Sequence, residues 1–372
     1  MARHRRMRSK ALAVLMAGAA VTVVAVLALL VGIARSPSPS SPEESPVADP
    51  GHPLVIGYVP YWDQERAFDV LWEQSDLLDE VSPVWYSIEP TGEVVLADDT
   101  HVTVDTEAVR EASRRGVRVI PTVTNLRNGE WDAAAVQAVL HDPARRGTHV
   151  DELVSLAVAE RYDGIDVDYE HLEAADREAF TDFLTDLANR LQAEDKVLTV
   201  ALHAKTSDEG YAARNEAQDY QAIGRIADQV RVMTYDYSWE SSPPGPVAPR
   251  DWVDDVLEWT VTQIPPDKVI LGIVLLGYDW VNGQGITIDY TDAMARSEEY
   301  DAPVQRSDDG SPWLTFHSAH GNQHEIWFED AVSVGAKLEL VSEYNLGGVF
   351  FWRLGGEDAN VWRQLPSVLD EP

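Results

Sequence analysis

Residues 163–170 read Asp-Gly-Ile-Asp-Val-Asp-Tyr-Glu, with acidic and apolar residues in strict alternation after the glycine. Because successive side chains of a β-strand point to opposite faces, this pattern predicts a strand with Asp166, Asp168 and Glu170 on one face. The opposite face consists of Ile165, Val167 and Tyr169. An exposed acidic run, the simplest alternative, would not pair strict alternation with apolar partners. The stretch therefore indicates a buried strand whose acidic face lines an interior.

Seven further runs of β-branched and aromatic residues accompany this strand. They cover residues 55–62, 81–88, 117–123, 197–204, 230–237, 269–280 and 348–354. Amphipathic helical stretches lie between most of them, at 106–115, 174–195, 252–264 and 329–344. Alternating strands and helices indicate a parallel sheet, and eight such units in about 320 residues match an α/β fold of the (β/α)8 TIM-barrel type. A doubly wound open sheet is the main alternative, but no glycine-rich phosphate loop follows the first strand.

A long segment separates the seventh and eighth predicted strands. It contains three short strand-like stretches at 285–290, 313–316 and 324–328. We interpret this segment as a small α+β insertion at the catalytic end of the barrel.

The acidic face of residues 163–170 would point into the barrel. Same-face side chains of a strand are about 6–7 Å apart, and three charged carboxylates at that spacing in a low-dielectric interior repel one another. We expect at least one of them to hold a proton near neutral pH. Glu170 lies at the C-terminal end of the strand, where barrel active sites form, and is the predicted general acid. A hard-cation site is the alternative, although it would need further oxygen ligands.

The whole stretch resembles the D-G-x-D-x-D-x-E signature of glycoside hydrolase family 18, the chitinase-like barrels. Residues 233–236 (Met-Thr-Tyr-Asp) resemble the M-x-Y-D motif of that family, and Trp352 resembles its eighth-strand tryptophan. Gly57 and Tyr58 on the first strand also fit. The resemblance extends over roughly residues 54–365, almost the whole predicted barrel domain of residues 54–372.

Several stretches look closest to the branch of that family that includes spore-germination and cortex-lytic hydrolases. They are residues 200–207, 242–249, 277–280 and 352–358. The sequence departs from that branch on the seventh strand, where Val274 and Leu276 stand in place of the more usual Pro and Tyr. This departure bears on the shape of a local subsite and leaves the acid in place.

The resemblance implies a retaining hydrolase of β-1,4-linked N-acetylglucosamine glycans, either chitin or peptidoglycan glycan strands, whose substrate supplies the nucleophile. Glu170 would protonate the leaving glycosidic oxygen and then activate water. Asp168 would orient the acetamido group, whose oxygen attacks the anomeric carbon. Asp166 would hydrogen-bond Asp168 and share its proton, and Tyr235 would donate a hydrogen bond to the acetamido carbonyl.

The resemblance also implies a set of substrate-binding residues, namely Asp236, Met233, Trp352 and Tyr58. Asp236 would support the sugar ring or the acetamido group, and Trp352 would stack beneath the sugar. No cofactor and no metal are implied, because the nucleophile belongs to the substrate and the acid to the enzyme. The expected partner is a polysaccharide that contains N-acetylglucosamine.

Two other functions remain open from the sequence. One is a non-catalytic sugar-binding barrel, although inactive members of the family usually lack the acid that Glu170 supplies. The other is cleavage of N-glycans between two N-acetylglucosamine units, which uses the same site and differs only in the shape of the cleft.

Weaker candidates lie outside these motifs. His317, His320 and His324 have a spacing that could suit a metal, but no acidic ligand completes a known motif, and a loop without metal is the favoured interpretation. His203 is expected to line the sugar cleft. Four tryptophans could form outer sugar platforms or simply pack: Trp62, Trp239, Trp280 and Trp313.

Composition excludes several classes of protein. With 63 acidic and 29 basic residues the chain carries a formal charge of −34, which argues against binding to nucleic acid or to anionic membrane surfaces. The absence of cysteine excludes disulfide frameworks, thiolate metal sites and cysteine nucleophiles.

The first 53 residues have the pattern of a targeting region. Within residues 1–35, a basic stub precedes 24 uncharged residues at positions 11–34, which as a helix would reach about 36 Å, enough to cross a bilayer. We predict an uncleaved signal anchor; a cleaved signal peptide, ending at the Gly-Ile-Ala of residues 32–34, is the alternative. Residues 36–53, rich in Pro and Ser, are predicted to be an extended stalk or a disordered leader. Either form of the targeting segment exports the barrel.

Overall fold

A computed structural model describes residues 52–98 and 101–369. In chain order its strands are β1 (Leu54–Pro60), β2 (Glu80–Ile88), β3 (Val94–Leu96), β4 (Arg118–Val119), β5 (Thr122–Thr124), β6 (Leu126–Arg127), β7 (Glu130–Trp131), β8 (Gly164–Asp168), β9 (Val197–His203), β10 (Gln229–Met233), β11 (Val269–Val274), β12 (Leu276–Val281), β13 (Gln284–Asp289), β14 (Gln305–Arg306), β15 (Pro312–His317), β16 (Gln323–Trp327) and β17 (Gly348–Trp352).

Helices surround these strands. They are α1 (Gln64–Glu73), α2 (Thr106–Arg114), α3 (Ala133–Leu140), α4 (Pro143–Ala159), α5 (Arg177–Gln192), α6 (Ala213–Glu216), α7 (Tyr220–Ile226), α8 (Arg250–Gln263), α9 (Tyr290–Glu299), α10 (Ala331–Glu343) and α11 (Asn360–Leu369).

The main sheet closes on itself. Parallel pairing runs in the order β1, β2, β5, β8, β9, β10, β11 and β17, and β1 pairs with both β2 and β17. A doubly wound sheet would leave two open edges, so the predicted eight-stranded parallel barrel is confirmed and the open alternative is excluded.

The predicted third strand, 117–123, forms as two short pieces, β4 and β5. Both pair with β2, and Pro121 lies between them. Because proline has no backbone N–H, it cannot donate to the ladder, and regular pairing stops on either side of it.

The packing of β8 follows the predicted alternation. Its apolar residues Ile165 and Val167, and Tyr169 beyond it, are fully buried in the layer between the barrel and the helices. Helix α5 covers this layer with the face predicted from the sequence, Phe180, Phe183, Leu184, Leu187 and Leu191. Tyr169 stacks on Phe183 with ring centroids 5.8 Å apart. The acidic face of β8 is therefore left to point inward.

The predicted insertion between the seventh and eighth barrel strands is confirmed. Strands β12 to β16 form a separate antiparallel sheet of five strands, and α9 packs against it. Its own core contains Ile288, Ala293, Ala302, Leu314, Phe316, Ile326 and Phe328. The run 269–280, predicted as one strand, divides at Leu275 into β11 of the barrel and β12 of the insertion.

The predicted membrane segment at 11–34 and the predicted stalk at 36–53 up to residue 51 lie outside the described residues. Among residues 52–98 and 101–369, no helix combines the length and apolar character that a membrane crossing requires.

Candidate active site

A cleft of about 370 Å³ opens at the C-terminal ends of the barrel strands. Asp168, His203, Met233 and Trp352, each the last residue of its strand, lie in its wall. Every residue that the sequence predicted for catalysis or substrate binding lines this cleft except Asp166, namely Glu170, Asp168, Tyr235, Asp236, Met233, Trp352 and Tyr58. Side chains that lie far apart in the chain thus meet in one pocket.

Asp166 lies beneath the cleft and is fully buried. Its carboxylate accepts hydrogen bonds from Tyr58 (2.8 Å), Thr122 (2.9 Å) and Thr199, and the guanidinium of Arg231 lies 3.6 Å away. These neighbours come from the interior faces of β1, β5, β9 and β10, so four barrel strands fix this carboxylate.

Asp168 stands one step higher on the same face of β8. Burial, reinforced by the charges of Glu170 and Asp166, raises the pKa of Asp168 well above its ordinary value. Its Oδ1 is buried and has no hydrogen-bond partner among the described residues. Asp166 already accepts from Tyr58 and the two threonines, and the shared proton between Asp166 and Asp168 stays a prediction. Asp168 therefore presents an unused acceptor next to the cleft.

Glu170 lies two residues beyond the end of β8, although the sequence predicted it as the last residue of the strand. The side chain of Asn125 holds its backbone on both sides, accepting from the Glu170 N–H (2.8 Å) and donating to its carbonyl (2.9 Å). Burial raises the pKa of the Glu170 carboxyl to about 7, with Asp236 adding to the shift and Arg214 opposing it. A carboxylic acid with that pKa can hold a proton at neutral pH and release it to a substrate.

Tyr235, Asp236 and Met233 follow one another at the end of β10. Burial raises the pKa of the Tyr235 hydroxyl well above its ordinary value, with the Tyr58 hydroxyl and the Asp168 carboxyl adding to the shift, so it remains a hydrogen-bond donor at neutral pH. The Asp236 carboxylate accepts a hydrogen bond of 2.9 Å from Tyr278 on β12. This contact links the insertion to the cleft.

Aromatic rings form the floor and rim of the cleft. Trp352 packs edge-on against Tyr58, with ring centroids 5.6 Å apart. The ring centroids of Trp62 and Trp352 are 6.3 Å apart. Trp62 and Trp239 are 49% and 40% exposed, so both can offer a face to a sugar. Trp280 is instead buried in the insertion, donating to the Ser242 carbonyl at 3.0 Å.

Other predicted candidates do not form part of the cleft. Trp313 stacks on Trp327 within the insertion sheet, with ring centroids 5.4 Å apart. His324 pairs with Asp279 at 2.9 Å and stacks on Phe316. Within the part of the chain that the structure describes, no three His, Asp or Glu side chains are grouped so that they could hold a metal ion.

His203 lines the cleft as predicted. Burial, with the nearby charge of Arg214, lowers its pKa to about 3, so the ring is neutral over the physiological range. Its Nε2 lies 3.7 Å from Oε2 of Glu170, beyond hydrogen-bond distance, and is buried without a partner among the described residues.

Sequence reasoning missed the buried cation below the site. Arg231 contacts Asp166 at 3.6 Å and pairs with Glu80 at 3.0 Å, and it donates to Tyr58 (3.1 Å) and Ser82 (2.6 Å). Alternation along β10 could have found it, since Arg231 lies two residues before Met233 and therefore on the same interior face.

Among the other cleft residues that it missed are Trp131, Arg214 and Trp252, the last in the first turn of α8. Trp131 lies on the β6–β7 hairpin and Arg214 on the short helix α6, both in segments without hydrophobic periodicity. No signal in the sequence alone would have placed these two side chains in the cleft.

Comparison with known proteins agrees with this geometry. YdhD of Bacillus subtilis, whose name describes a sporulation-specific glycosylase, is 36% identical over 275 residues, which are 72% of this chain and 64% of YdhD. The crystal structure of the spore cortex-lytic enzyme SleL from Bacillus cereus superimposes with a TM-score of 0.77 at 26% identity, covering 84% of this chain and 73% of SleL. A chitinase structure from Chromobacterium violaceum gives a TM-score of 0.78 at 30% identity, covering 84% of this chain and 98% of that one.

Fold, cleft and relatives together define a TIM-barrel domain of the glycoside hydrolase class. The chain belongs to the glycosyl hydrolases family 18, whose sequence model matches residues 54–357. The chain spans about three fifths of the length of these curated relatives: 64% of YdhD and 58% of the cortical fragment-lytic enzyme of Bacillus anthracis.

Proposed function

We propose that this protein is a retaining, substrate-assisted hydrolase of β-1,4-linked N-acetylglucosamine glycans. The observation that carries the proposal is that Asp168, Glu170 and Tyr235 line one cleft whose floor includes Trp352. A protonated acid, an unused carboxylate acceptor and a phenolic donor are the groups that a substrate with an acetamido nucleophile requires.

In the proposed first step, the acetamido oxygen of the bound sugar attacks its own anomeric carbon. The bond from that carbon to the glycosidic oxygen breaks, and Glu170 gives its proton to the departing oxygen. Asp168 accepts the acetamido N–H and stabilises the positive charge of the resulting oxazolinium ring, while Tyr235 donates to the acetamido oxygen.

In the second step, Glu170 acts as a base and takes a proton from water as the water attacks the same carbon. The ring reopens, the acetamido group is restored, and the configuration at the anomeric carbon is retained. The carboxylate of Asp166, held by three hydroxyls and Arg231, ties β8 to the neighbouring strands and so positions Asp168 above it.

To test this, the protein is incubated separately with chitin oligosaccharides and with purified peptidoglycan, and the products are identified by mass spectrometry. Cleavage of either polymer next to N-acetylglucosamine supports the proposal, and the polymer that is cut identifies the class of the natural substrate. Oligosaccharide binding without any product would overturn it in favour of a non-catalytic sugar-binding barrel.

The N-acetyl group itself provides a second prediction. De-N-acetylated oligosaccharides and plain glucose polymers of equal length lack the attacking oxygen, so we expect no detectable cleavage of either under conditions in which the N-acetylated glycan is consumed. Product release measured by mass spectrometry checks this. Equal rates on all three polymers would contradict substrate assistance.

The pH dependence follows from Glu170. Its pKa of about 7 means that the carboxyl is protonated below that pH and loses its proton above it. Since only the protonated form can act on the glycosidic oxygen, kcat/KM should fall about tenfold per pH unit above about pH 7. A kcat/KM profile on an N-acetylglucosamine oligosaccharide checks this prediction. An alkaline limb near 4.5, the ordinary glutamate value, would contradict the assignment of Glu170 as the acid.

We place the barrel outside the cytoplasm, joined to the N-terminal segment of residues 1–35. Support comes from the basic stub and the uncharged run of that segment, and from the extracytoplasmic location of the proposed polymers. External protease added to intact cells should digest the barrel, and protection from it would contradict this placement.

A further inference from the structure

Arg214 differs from every other residue of the cleft. Among the described residues that line the cleft it is the single Lys or Arg, and the ionisable acids around it are Asp168, Glu170 and Asp236. Its side chain is half-buried, and its guanidinium lies over the ring of Trp239, 5.8 Å from the centroid.

Among the described residues, no polar group engages this guanidinium. Within residues 52–98 and 101–369, Arg214 makes no side-chain hydrogen bond and no ion pair within 4.0 Å. Two other cations have carboxylate partners. A guanidinium nitrogen of Arg177 lies 3.1 Å from a carboxylate oxygen of Asp208 and of Asp219, and Lys205 Nζ lies 3.1 Å from Asp208. In a chain with 63 acidic residues, an arginine without a carboxylate partner is available for an outside anion.

The field of Arg214 reaches the reacting groups. Its positive charge lowers the pKa of Glu170, against the larger effect of burial, and also lowers the pKa of His203. An anion seated on Arg214 would therefore lie close to a sugar held over Glu170, on the side of the cleft that Trp239 borders.

The chemistry of the site selects the anion. A guanidinium that rests on an aromatic face keeps its N–H edge free, and that edge matches the two oxygens of a carboxylate. Chitin offers only neutral groups to this edge, whereas peptidoglycan carries carboxylates. We propose that Arg214 binds a carboxylate of the glycan substrate and so makes the enzyme prefer acidic, N-acetylated glycans of the peptidoglycan type to chitin. This inference rests on the function proposed above and specifies its substrate class.

The carboxylate has two sources in peptidoglycan. In a peptide-free glycan it is the lactyl carboxylate of the muramic unit. In a peptide-bearing glycan the lactyl group is amidated and the free carboxylates belong to the peptide. The experiment therefore uses four substrates: neutral chitin oligosaccharide, peptide-free glycan, the same glycan with its carboxylates methyl-esterified, and peptide-bearing glycan.

The measured quantity is the ratio of kcat/KM on each acidic glycan to kcat/KM on the chitin oligosaccharide. We expect Arg214→Gln to lower this ratio about 10- to 100-fold, the range expected for a charge-assisted hydrogen bond, with Arg214→Lys retaining part of it. The esterified glycan should give the same ratio in wild type and variant. Arg214→Gln should also raise the pKa of Glu170 and move the alkaline limb of the kcat/KM profile to higher pH on every substrate. This effect is common to all four substrates and cancels in the ratio, which therefore reports binding of the anion alone.

Arg225→Gln is the matched control, since Arg225 is an exposed arginine on α7 outside the cleft. Its ratio should equal that of the wild type. A loss confined to the peptide-free glycan identifies the lactyl carboxylate, and one confined to the peptide-bearing glycan identifies the peptide. An equal loss on all four substrates would overturn the inference and leave Arg214 as a packing partner of Trp239. Wild-type protein that cleaves none of the four would instead contradict the proposed function.

Discussion

Glu170→Gln should lower kcat on N-acetylglucosamine oligosaccharides by about 100- to 10,000-fold while leaving their affinity nearly unchanged. The glutamine is of equal size and fits between the same neighbours, but it carries no proton for the leaving oxygen. Steady-state kinetics and calorimetric binding of the oligosaccharide measure the two quantities separately.

A substrate with a better leaving group tests the same role of Glu170 more specifically. An aryl glycoside of N-acetylglucosamine departs as a stable phenolate and needs little protonation, so the first step on it should be much less impaired by Glu170→Gln than on an oligosaccharide. Glu178→Gln is the matched control, because Glu178 is exposed on α5 away from the cleft. If Glu170→Gln cuts oligosaccharides at the rate of this control, Glu170 is not the acid.

Asp168→Asn should reduce kcat by about 100- to 1000-fold, because an amide cannot stabilise the positive charge that forms on the acetamido group. The same variant should be at least as stable as the wild type near neutral pH, which separates loss of catalysis from loss of folding. Kinetics and the midpoint of thermal unfolding check both parts.

The expected stability follows from the sign of the pKa shift. The pKa of Asp168 in the folded barrel lies well above the value of 3.8 that it has in an exposed chain. Its contribution to the free energy of unfolding is therefore fully present below pH 3.8 and is lost as the pH rises through the folded pKa. An asparagine carries no charge to bury and removes this loss.

Asp255→Asn provides the matched control for Asp168→Asn. Asp255 is exposed on α8 and has no side-chain partner among the described residues, so the same chemical change should alter neither rate nor stability. A variant at position 168 with wild-type kcat would contradict the role of Asp168.

The barrel and its acidic strand could be predicted because each rests on a local pattern. Alternation along residues 163–170 separated the interior carboxylates from Ile165, Val167 and Tyr169, and the burial of these three confirms that separation. The helical face of α5 and the order of strands and helices are patterns of the same kind.

Other features depend on contacts between distant segments, and no local pattern reports them. The run 269–280 contains no charged residue before Asp279, so its pattern gives no sign that the chain leaves the barrel at Leu275 and pairs β12 with β13 and β16. The support of Glu170 by Asn125 likewise joins two loops, and the position of Arg214 over Trp239 joins helix α6 to the segment after β10.

The closure of the barrel between β11 and β17 bears on how such a chain can change. These strands pair directly from Ile270 with Gly348 to Val274 with Trp352, so the barrel does not need the intervening sheet to complete its ring. Since the inserted sheet has a hydrophobic core of its own, it can be exchanged for another insertion without opening the barrel. Evolution or an engineer can lengthen, shorten or replace it and so reshape the rim beside Tyr278 and Asp236, while β8 and the acid that follows it stay untouched.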